Sequence, residues 1–250
     1  MNTRKKAILN LLLTLVLTLG LFNPIGVIAQ TTPEPQEEDG VPGVLILEER
    51  TFFTQEELRE FIPPQEVRDE FSSMTDAQQF RNRVRVHAYY PLIPHLTQHP
   101  NRRMTSQELQ LWIQAYEEMG GLSVFELEVL YLLNEIRVEH GLEPYTLCPN
   151  LSMAARMQSQ LTSQFGFWGH EDPFYGRPRD RVNLFDQSRT TILENATGGM
   201  IPSRSVSSWM NSPGHRALIL SEAHSVIGIG RSAGGGVYMK TTTPAERVFQ

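Results

Sequence analysis

From residue 54 to residue 119 the apolar positions recur at helical spacing, and a polar helix-start pattern precedes each run. Thr54, Thr75 and Thr105, and Ser123 just after this region, are each followed three residues later by Glu or Gln, which is the capping-box pattern. In the second of these segments Phe80 and Val84 are the predicted packing residues. The third carries apolar residues at i, i+3, i+4 and i+7, which predicts a helix with a packing face: Leu109, Trp112, Ile113 and Tyr116.

After residue 122 the pattern alternates between helical segments and turn-rich segments. The predicted elements are, in order, a helix from Ser123 to about His140, a helix over 151–164, a loop over 166–193, short helices from Ser205 and Pro213, and strands over Val226–Gly230 and Val237–Thr242. This order predicts an α+β fold, because the strands follow a group of helices and do not alternate with them regularly.

The first 29 residues have the three-part pattern of a secretory signal peptide. Basic residues at positions 4–6 precede an apolar run over 7–22, and Val27-Ile28-Ala29 is a small-x-small ending. An uncleaved anchor is the alternative, but the run is short for a bilayer span of ~20 residues. We therefore predict a secreted protein, extracellular or periplasmic, with no stable membrane span after cleavage.

The rest of the chain divides by composition into three parts. Residues 30–43 are rich in Pro, Glu, Thr and Gly and lack large apolar residues, so they are predicted to be a linker. Residues 44–121 are a predicted helical extension, in which Val44–Leu47 is a candidate edge strand. Residues 122–250 form the second predicted domain.

Charge and cysteine content narrow the choice of partners. The chain holds 22 Lys+Arg and 28 Asp+Glu, and three of the positive charges lie in residues 1–29, so residues 30–250 carry a net charge of −9. This balance disfavours nucleic acid and anionic membranes as partners. The single cysteine, Cys148, can form no internal disulfide. Lys240 is the only lysine in residues 30–250, and the sequence indicates no role for it.

Two histidines and a glutamate are the candidate site residues. His170 lies in Gly-His-Glu-Asp-Pro, Glu194 in Glu-Asn-Ala and His215 in Asn-Ser-Pro-Gly-His-Arg. Each motif lies beside turn or helix-start residues, where side chains tend to face a cleft. Imidazole with carboxylate can bind a transition metal or transfer protons at neutral pH. The sequence contains no H-E-x-x-H, G-x-S-x-G, P-loop or dinucleotide-binding motif that would suggest other chemistry.

Taken in order, the motifs resemble those of the CAP superfamily of cysteine-rich secretory, antigen 5 and pathogenesis-related proteins. They are L-E-V-L-Y-L-L-N-E-I-R-V-E-H-G, F-W-G-H-E-D-P, E-N-A, W-M-N-S-P-G-H-R and I-G-I-G, within about residues 123–242. The bacterial extracellular, SCP-like branch is the most similar. The resemblance implies an α-β-α sandwich with a small antiparallel sheet between helices. It also implies a central cleft lined by His170, Glu194 and His215, in which the two histidines can hold a divalent metal, often zinc.

The chain departs from the family pattern in ways that bear on function. Many members have a second acid a few residues after the first histidine, whereas residues 174–177 here contain none, which leaves Glu171 or Asp172 as substitutes. Arg216 stands where eukaryotic members usually have tyrosine, and the eukaryotic disulfides are absent. The activities of the eukaryotic members therefore do not follow from the resemblance.

Three functional interpretations stay open at this point. The first is a binding or interaction module at the cell envelope or outside the cell, whose cleft takes a divalent metal or small ligand from an unknown partner. The second is a metal-assisted hydrolase acting on envelope polymer or extracellular peptides, with His170 and His215 as metal ligands and Glu194 as the catalytic base. The third is a structural hydrogen-bond network beneath the loop 166–193.

Overall fold

The structure is a computed structural model that describes residues 54–91, 96–189 and 191–244, all within one compact unit, Gly43–Gln250. The predicted signal peptide, the predicted linker and the candidate strand Val44–Leu47 lie outside the described residues. Among the helices of the described part, none combines the length and the apolar character that a bilayer crossing requires.

The described chain folds into helices packed around one four-stranded sheet. The helices are α1 (Gln55–Arg59), α2 (Gln65–Ser73), α3 (Asp76–Arg81), α4 (Arg83–Tyr89), α5 (Ser106–Glu118), α6 (Val124–Glu139), α7 (Pro149–Phe165), α8 (Pro178–Val182), α9 (Pro202–Met210) and α10 (Pro213–Ile219). The strands are β1 (Thr146–Leu147), β2 (Ile192–Thr197), β3 (Val226–Arg231) and β4 (Val237–Thr242). This mixture of helices and sheet confirms the predicted α+β class.

The sheet has the strand order β1-β3-β4-β2. The predicted hairpin is confirmed, because β3 and β4 pair antiparallel from Val226 opposite Thr242 to Arg231 opposite Val237. The expectation of a wholly antiparallel sheet is wrong in one place, since β1 runs parallel to β3. A larger difference is β2, which pairs antiparallel with β4 at the sheet edge. The prediction of a loop over 166–193 is therefore wrong at its end, because residues 192 and 193 belong to β2.

Helices cover both faces of the sheet and produce the α-β-α sandwich. On one face α7 lies so close to β3 that an added Cβ at Gly228 or Gly230 would collide with its backbone. On the other face Ile227 and Ile229 share a core cluster with residues of α6 and α9, among them Leu133 and Trp209. The glycines therefore mark the face where helix and strand approach most closely, while the isoleucines fill the opposite core.

The helices before residue 120 begin where the sequence predicts and contact the helices that follow. Each predicted capping box is present, with reciprocal side-chain and backbone hydrogen bonds: those of Thr54, Thr75, Thr105 and Ser123. In α5 the buried Trp112 donates from Nε1 to Oε1 of Gln160 on α7 at 2.8 Å. The apolar stripe of α5 is therefore a packing face, as predicted.

The packing residues predicted for the second segment are wrong. Phe80 and Val84 are 61% and 82% exposed, and the buried residues are Gln79 and Val86. The reason is a break at Asn82, which ends α3 and precedes α4 with non-helical backbone angles. Because the segment is two short helices, helical spacing counted across residue 82 puts the wrong side chains on one face.

A buried carboxyl group connects α4 with α6 and gives the fold a pH dependence. Tyr90 donates from its hydroxyl to Oε2 of Glu128 at 2.6 Å. Desolvation by burial raises the pKa of Glu128 to about 7, although the Tyr90 hydrogen bond and the Arg68 charge oppose the shift. The native state therefore holds this proton to a higher pH than the unfolded chain does.

We expect the stabilising contribution of protonated Glu128 to be fully present below about pH 4.5 and to be lost as the pH rises through about 7. The full difference is about 3 kcal/mol. Glu128→Gln keeps a hydrogen-bond acceptor without the ionisation, so its free energy of unfolding relative to the native sequence should rise across this window. Urea unfolding at several pH values between 4.5 and 8 measures the difference. Glu139→Gln, at the exposed end of α6, is the control; parallel pH curves for Glu128→Gln and the native sequence would contradict the assignment.

Candidate functional site

The edge strand β2 connects two of the three candidate motifs through adjacent residues. Glu194 and Asn195 point to opposite faces of the sheet, as neighbouring residues of a strand do. Oε1 of Glu194 lies 3.0 Å from Nδ1 of His170. Nδ2 of Asn195 donates to the backbone carbonyl of His215 at 3.0 Å. The Glu194-Asn195 pair therefore contacts both histidine segments.

The backbone around His170 is fixed by hydrogen bonds from two helices. Gln158 of α7 donates from Nε2 to the carbonyl oxygens of Phe167 and Gly169, both at 3.2 Å. Arg181 of α8 donates from Nη2 to the carbonyl oxygen of His170 at 2.8 Å. Gly169 has φ 121°, a conformation that side-chain-bearing residues rarely adopt. The loop position of His170 is thus determined by its neighbours and not only by its own ring.

The imidazole of His170 is held in one tautomer and kept neutral. A carboxylate only accepts hydrogen bonds, so Nδ1 of His170 carries the hydrogen donated to Glu194, and Nε2 carries the lone pair. The side chain is 53% exposed, and among the described residues none is hydrogen-bonded to its Nε2. Partial burial lowers the pKa of His170, and the positive charges of Lys240 and Arg181 lower it further. At neutral pH the ring therefore presents an uncharged acceptor.

The side chain of Glu194 is buried and belongs to an ion-pair network. Its carboxylate contacts Nζ of Lys240, the residue opposite it on β4. Nη2 of Arg181 lies 3.4 Å from its Oε1 and 3.5 Å from its Oε2. Burial is the main cause that lowers the pKa of Lys240, and the Arg181 charge adds to it. Lys240 and Arg181 therefore both contact this carboxylate, one from β4 and the other from α8.

Asp172 does not supply the second cleft acid that the family pattern suggests, because its carboxylate is engaged by other protein groups. Asp172 is buried, and its Oδ2 accepts from Nη1 of Arg181 at 2.8 Å. Its Oδ1 accepts from the backbone N–H groups of residues 174 and 175 at 2.9 and 2.8 Å. Asp172 thus fixes Arg181, which in turn contacts Glu194, while Glu171 is exposed. Asp172 therefore affects the cleft through Arg181.

His215 lies in the first turn of α10, directly after Pro213-Gly214. Its ring nitrogen Nδ1 is buried and has no hydrogen-bond partner among the described residues. A buried nitrogen without a partner is unfavourable unless a ligand or water satisfies it. The structure therefore joins His170 and Glu194 side chain to side chain, whereas it links His215 to β2 through its backbone.

Only some of the candidate residues could bind a metal ion directly. Within the described ranges, no group of three or more His, Cys, Asp or Glu side chains is placed to hold a metal ion. The carboxylate oxygens of Glu194 are engaged by Lys240, Arg181 and His170, so Glu194 does not fit as a direct ligand. It fits instead as the outer carboxylate that orients a ligating imidazole through its other nitrogen. The protein groups that remain for direct ligation are the rings of His170 and His215.

Arg181, Lys240, Gln158 and Asn195 are the site residues that the sequence analysis missed. Two of them left a signal: Asn195 stands in the Glu-Asn-Ala motif, and Lys240 is the only lysine in residues 30–250. Arginine is the usual basic residue of this chain, so Arg181 does not stand out. The roles of all four depend on contacts between segments that are distant in the sequence.

Part of the chain is similar to known proteins. Residues 130–242 match the model of CAP, the cysteine-rich secretory protein family. The protein YkwD of Bacillus subtilis (strain 168) is 36% identical over 120 residues, which are 48% of this chain and 47% of YkwD. The membrane protein YlbC of the same strain is 29% identical over 109 residues, 42% of this chain and 31% of YlbC. The chain thus spans less than half the length of either curated relative.

Solved structures of bacterial surface and extracellular proteins also match. An extracellular protein with an SCP domain from Bacillus anthracis str. Ames has a TM-score of 0.45 and 21% identity, over 47% of this chain and 39% of that chain. An outer surface protein of Borrelia burgdorferi has a TM-score of 0.43 and 20% identity, over 47% of this chain and 90% of that chain.

Proposed function

Because residues 130–242 form a CAP domain of the bacterial extracellular type, we propose that the protein is secreted and acts at the cell envelope or outside the cell as a binding module. Its ligand contacts the half-exposed imidazole of His170. Lys240, Arg181 and Asp172 support this function because they fix the Glu194 carboxylate, which orients the His170 ring.

The observation that carries the proposal is the orientation of His170. The ring is bound through Nδ1 to a buried carboxylate, its backbone is held from α7 and α8, and its Nε2 is left without a protein partner in the described structure. Burying the charges of Glu194, Lys240 and Arg181 costs several kcal/mol each before their mutual attraction is counted. A buried network with this cost is more often found at a functional site than under a loop that has no function.

A divalent metal such as zinc is the ligand that the two imidazoles favour. His170 and His215 would hold it, and Glu194 would orient His170 from behind. Bound there, the metal would supply a Lewis acid that attracts oxygen atoms of a partner molecule. Its binding would also satisfy the buried Nδ1 of His215 if that nitrogen is the ligating one.

A binding module is favoured over the metal-assisted hydrolase because of the surroundings of Glu194. A general base must accept a proton during the reaction. The oxygen atoms of the Glu194 carboxylate already contact Lys240, Arg181 and His170. Glu194 is therefore turned toward protein groups.

Zinc binding to the purified full chain tests the proposal. We expect the native protein to bind about one zinc ion per chain, and His170→Ala and His215→Ala each to weaken binding at least about tenfold. His140→Ala, at the exposed C-terminal end of α6, is the matched control and should bind as the native protein does. Calorimetric titration gives the affinities, and circular dichroism checks that each variant is folded.

Two outcomes would contradict parts of the proposal. Equally negligible zinc in the native protein and in the His170→Ala/His215→Ala double variant would remove the metal. Turnover of purified cell wall or casein by the native protein, lost in folded Glu194→Gln, would favour the hydrolase over the binding module.

A further inference from the structure

We propose a second binding site, for an uncharged oligosaccharide, in a cavity of about 620 Å³ between α3 and the segment that runs from the end of β2 into α9. The cavity is within the usual range of small-molecule sites, which is roughly 300–1,000 Å³. It is lined by none of His170, Glu194 and His215. The proposal therefore does not depend on the function proposed for the His170 cleft.

The cavity is formed by two parts of the chain. Asp76 and Gln79 of α3 form one wall, and residues 197–200 with the exposed side of α9 form the other. α3 lies outside residues 130–242, the segment that matches the CAP family. The site is therefore built in part by the helices that precede the family domain, and binding there would give those helices a role.

The groups that line the cavity are together uncharged. Half of the lining residues carry hydroxyl or amide side chains, including Thr197, Ser207, Ser208 and Asn211. The one carboxylate and the one guanidinium, Asp76 and Arg204, lie 3.7 Å apart and compensate each other. A strongly anionic or cationic ligand would therefore find no excess of opposite charge. The lining surface is apolar and polar in nearly equal shares, which matches a neutral ligand that carries hydroxyl groups on an apolar ring.

Among the residues that line the cavity, Gln79 has a side-chain amide that is held by two hydrogen bonds. The residue is 1% exposed, and its Nε2 donates to the backbone carbonyls of Phe71 and Met74, both at 3.2 Å. These bonds fix the amide and leave its Oε1 without a donor among the described residues. Gln79 lines the cavity, and an amide oxygen can accept a hydrogen bond from a ligand hydroxyl.

The opposite wall lets a ligand approach the backbone. Gly199 lines the cavity. It has φ 147°, and a Cβ there would lie 2.7 Å from Oγ of Ser205, so the position requires glycine and stays open.

Calorimetric titration of the full chain with chitotetraose, cellotetraose and mannotetraose tests the site. We expect saturable binding of at least one of them. Gln79→Ala and Asn211→Ala should each weaken it about tenfold, the loss expected for one well-formed hydrogen bond in a desolvated site. Gln114→Ala, on the exposed side of α5, is the matched control and should leave the affinity unchanged.

The proposal is overturned if none of the three sugars binds saturably, or if Gln79→Ala and Gln114→Ala bind the same sugar equally well. Binding of tetra-alanine in place of the sugars would overturn the ligand class and would assign the cavity to peptide. Zinc titration of the same preparations reports on the His170 cleft separately, so the two sites can fail or succeed independently.

Discussion

Gly230→Ala is expected to destabilise the fold by about 4 kcal/mol or more, or to prevent folding. An ideal Cβ at this position would lie 2.6 Å from Cα of Arg156 and closer still to the backbone N of Arg156 and the carbonyl carbon of Ala155. These atoms belong to the middle of α7, so they cannot rotate away as a side chain could. The variant must separate β3 from α7, where Arg156 also pairs with the buried Glu126. Circular dichroism and urea unfolding measure the effect.

Gly214→Ala is the matched control for this prediction. A Cβ at Gly214 would have no neighbour within 4 Å, apart from its own helix and chain neighbours, and the residue lies inside α10. Alanine favours helix over glycine by up to about 1 kcal/mol, so this variant should be unchanged or slightly more stable. A free energy of unfolding for Gly230→Ala within about 1 kcal/mol of the native value would show that α7 and β3 can separate at little cost.

The features that sequence could predict are those that local interactions determine. A capping box needs only residues three positions apart, and the four that were predicted are present at Thr54, Thr75, Thr105 and Ser123. The β3–β4 hairpin is likewise local, since a glycine-rich turn joins two apolar segments. In the same region Gly228 and Gly230, which the family motif marks only as glycines, have a physical explanation in the close approach of α7.

The features that sequence missed depend on distant partners. The strand β2 has no clear alternation of apolar and polar residues, and it exists because β4 pairs with it along its whole length. Without that strand, Glu194 is an ordinary loop residue, and nothing places it opposite Lys240. The site could therefore be located from its motifs, whereas its electrostatics could not be derived before the register of β2 and β4 was known.

Lys240→Met is expected to lower the free energy of unfolding by about 3 kcal/mol and to raise the pKa of His170. Lys240 is fully buried and contacts the carboxylate of Glu194. Removing one partner of a buried ion pair costs about 3–5 kcal/mol because the other charge is left uncompensated, and the remaining contact with Arg181 puts this case at the lower end. The Lys240 charge is one of the causes that lower the pKa of His170, so its removal should shift the imidazole titration upward. Urea unfolding and NMR titration of the His170 ring measure the two effects.

Two further variants separate the buried pair from a general loss of positive charge. Arg177→Met removes an exposed cation that is paired with Asp180 at 3.4 Å, and it should change stability by less than about 0.5 kcal/mol. In Lys240→Met/Glu194→Met the buried carboxylate is removed together with its partner, so we expect much of the stability to return, since apolar replacement of a buried pair is often neutral. A coupling energy below about 1 kcal/mol in this double-mutant cycle, or an unchanged pKa of His170 in Lys240→Met, would mean that Lys240 does not support the cleft through Glu194.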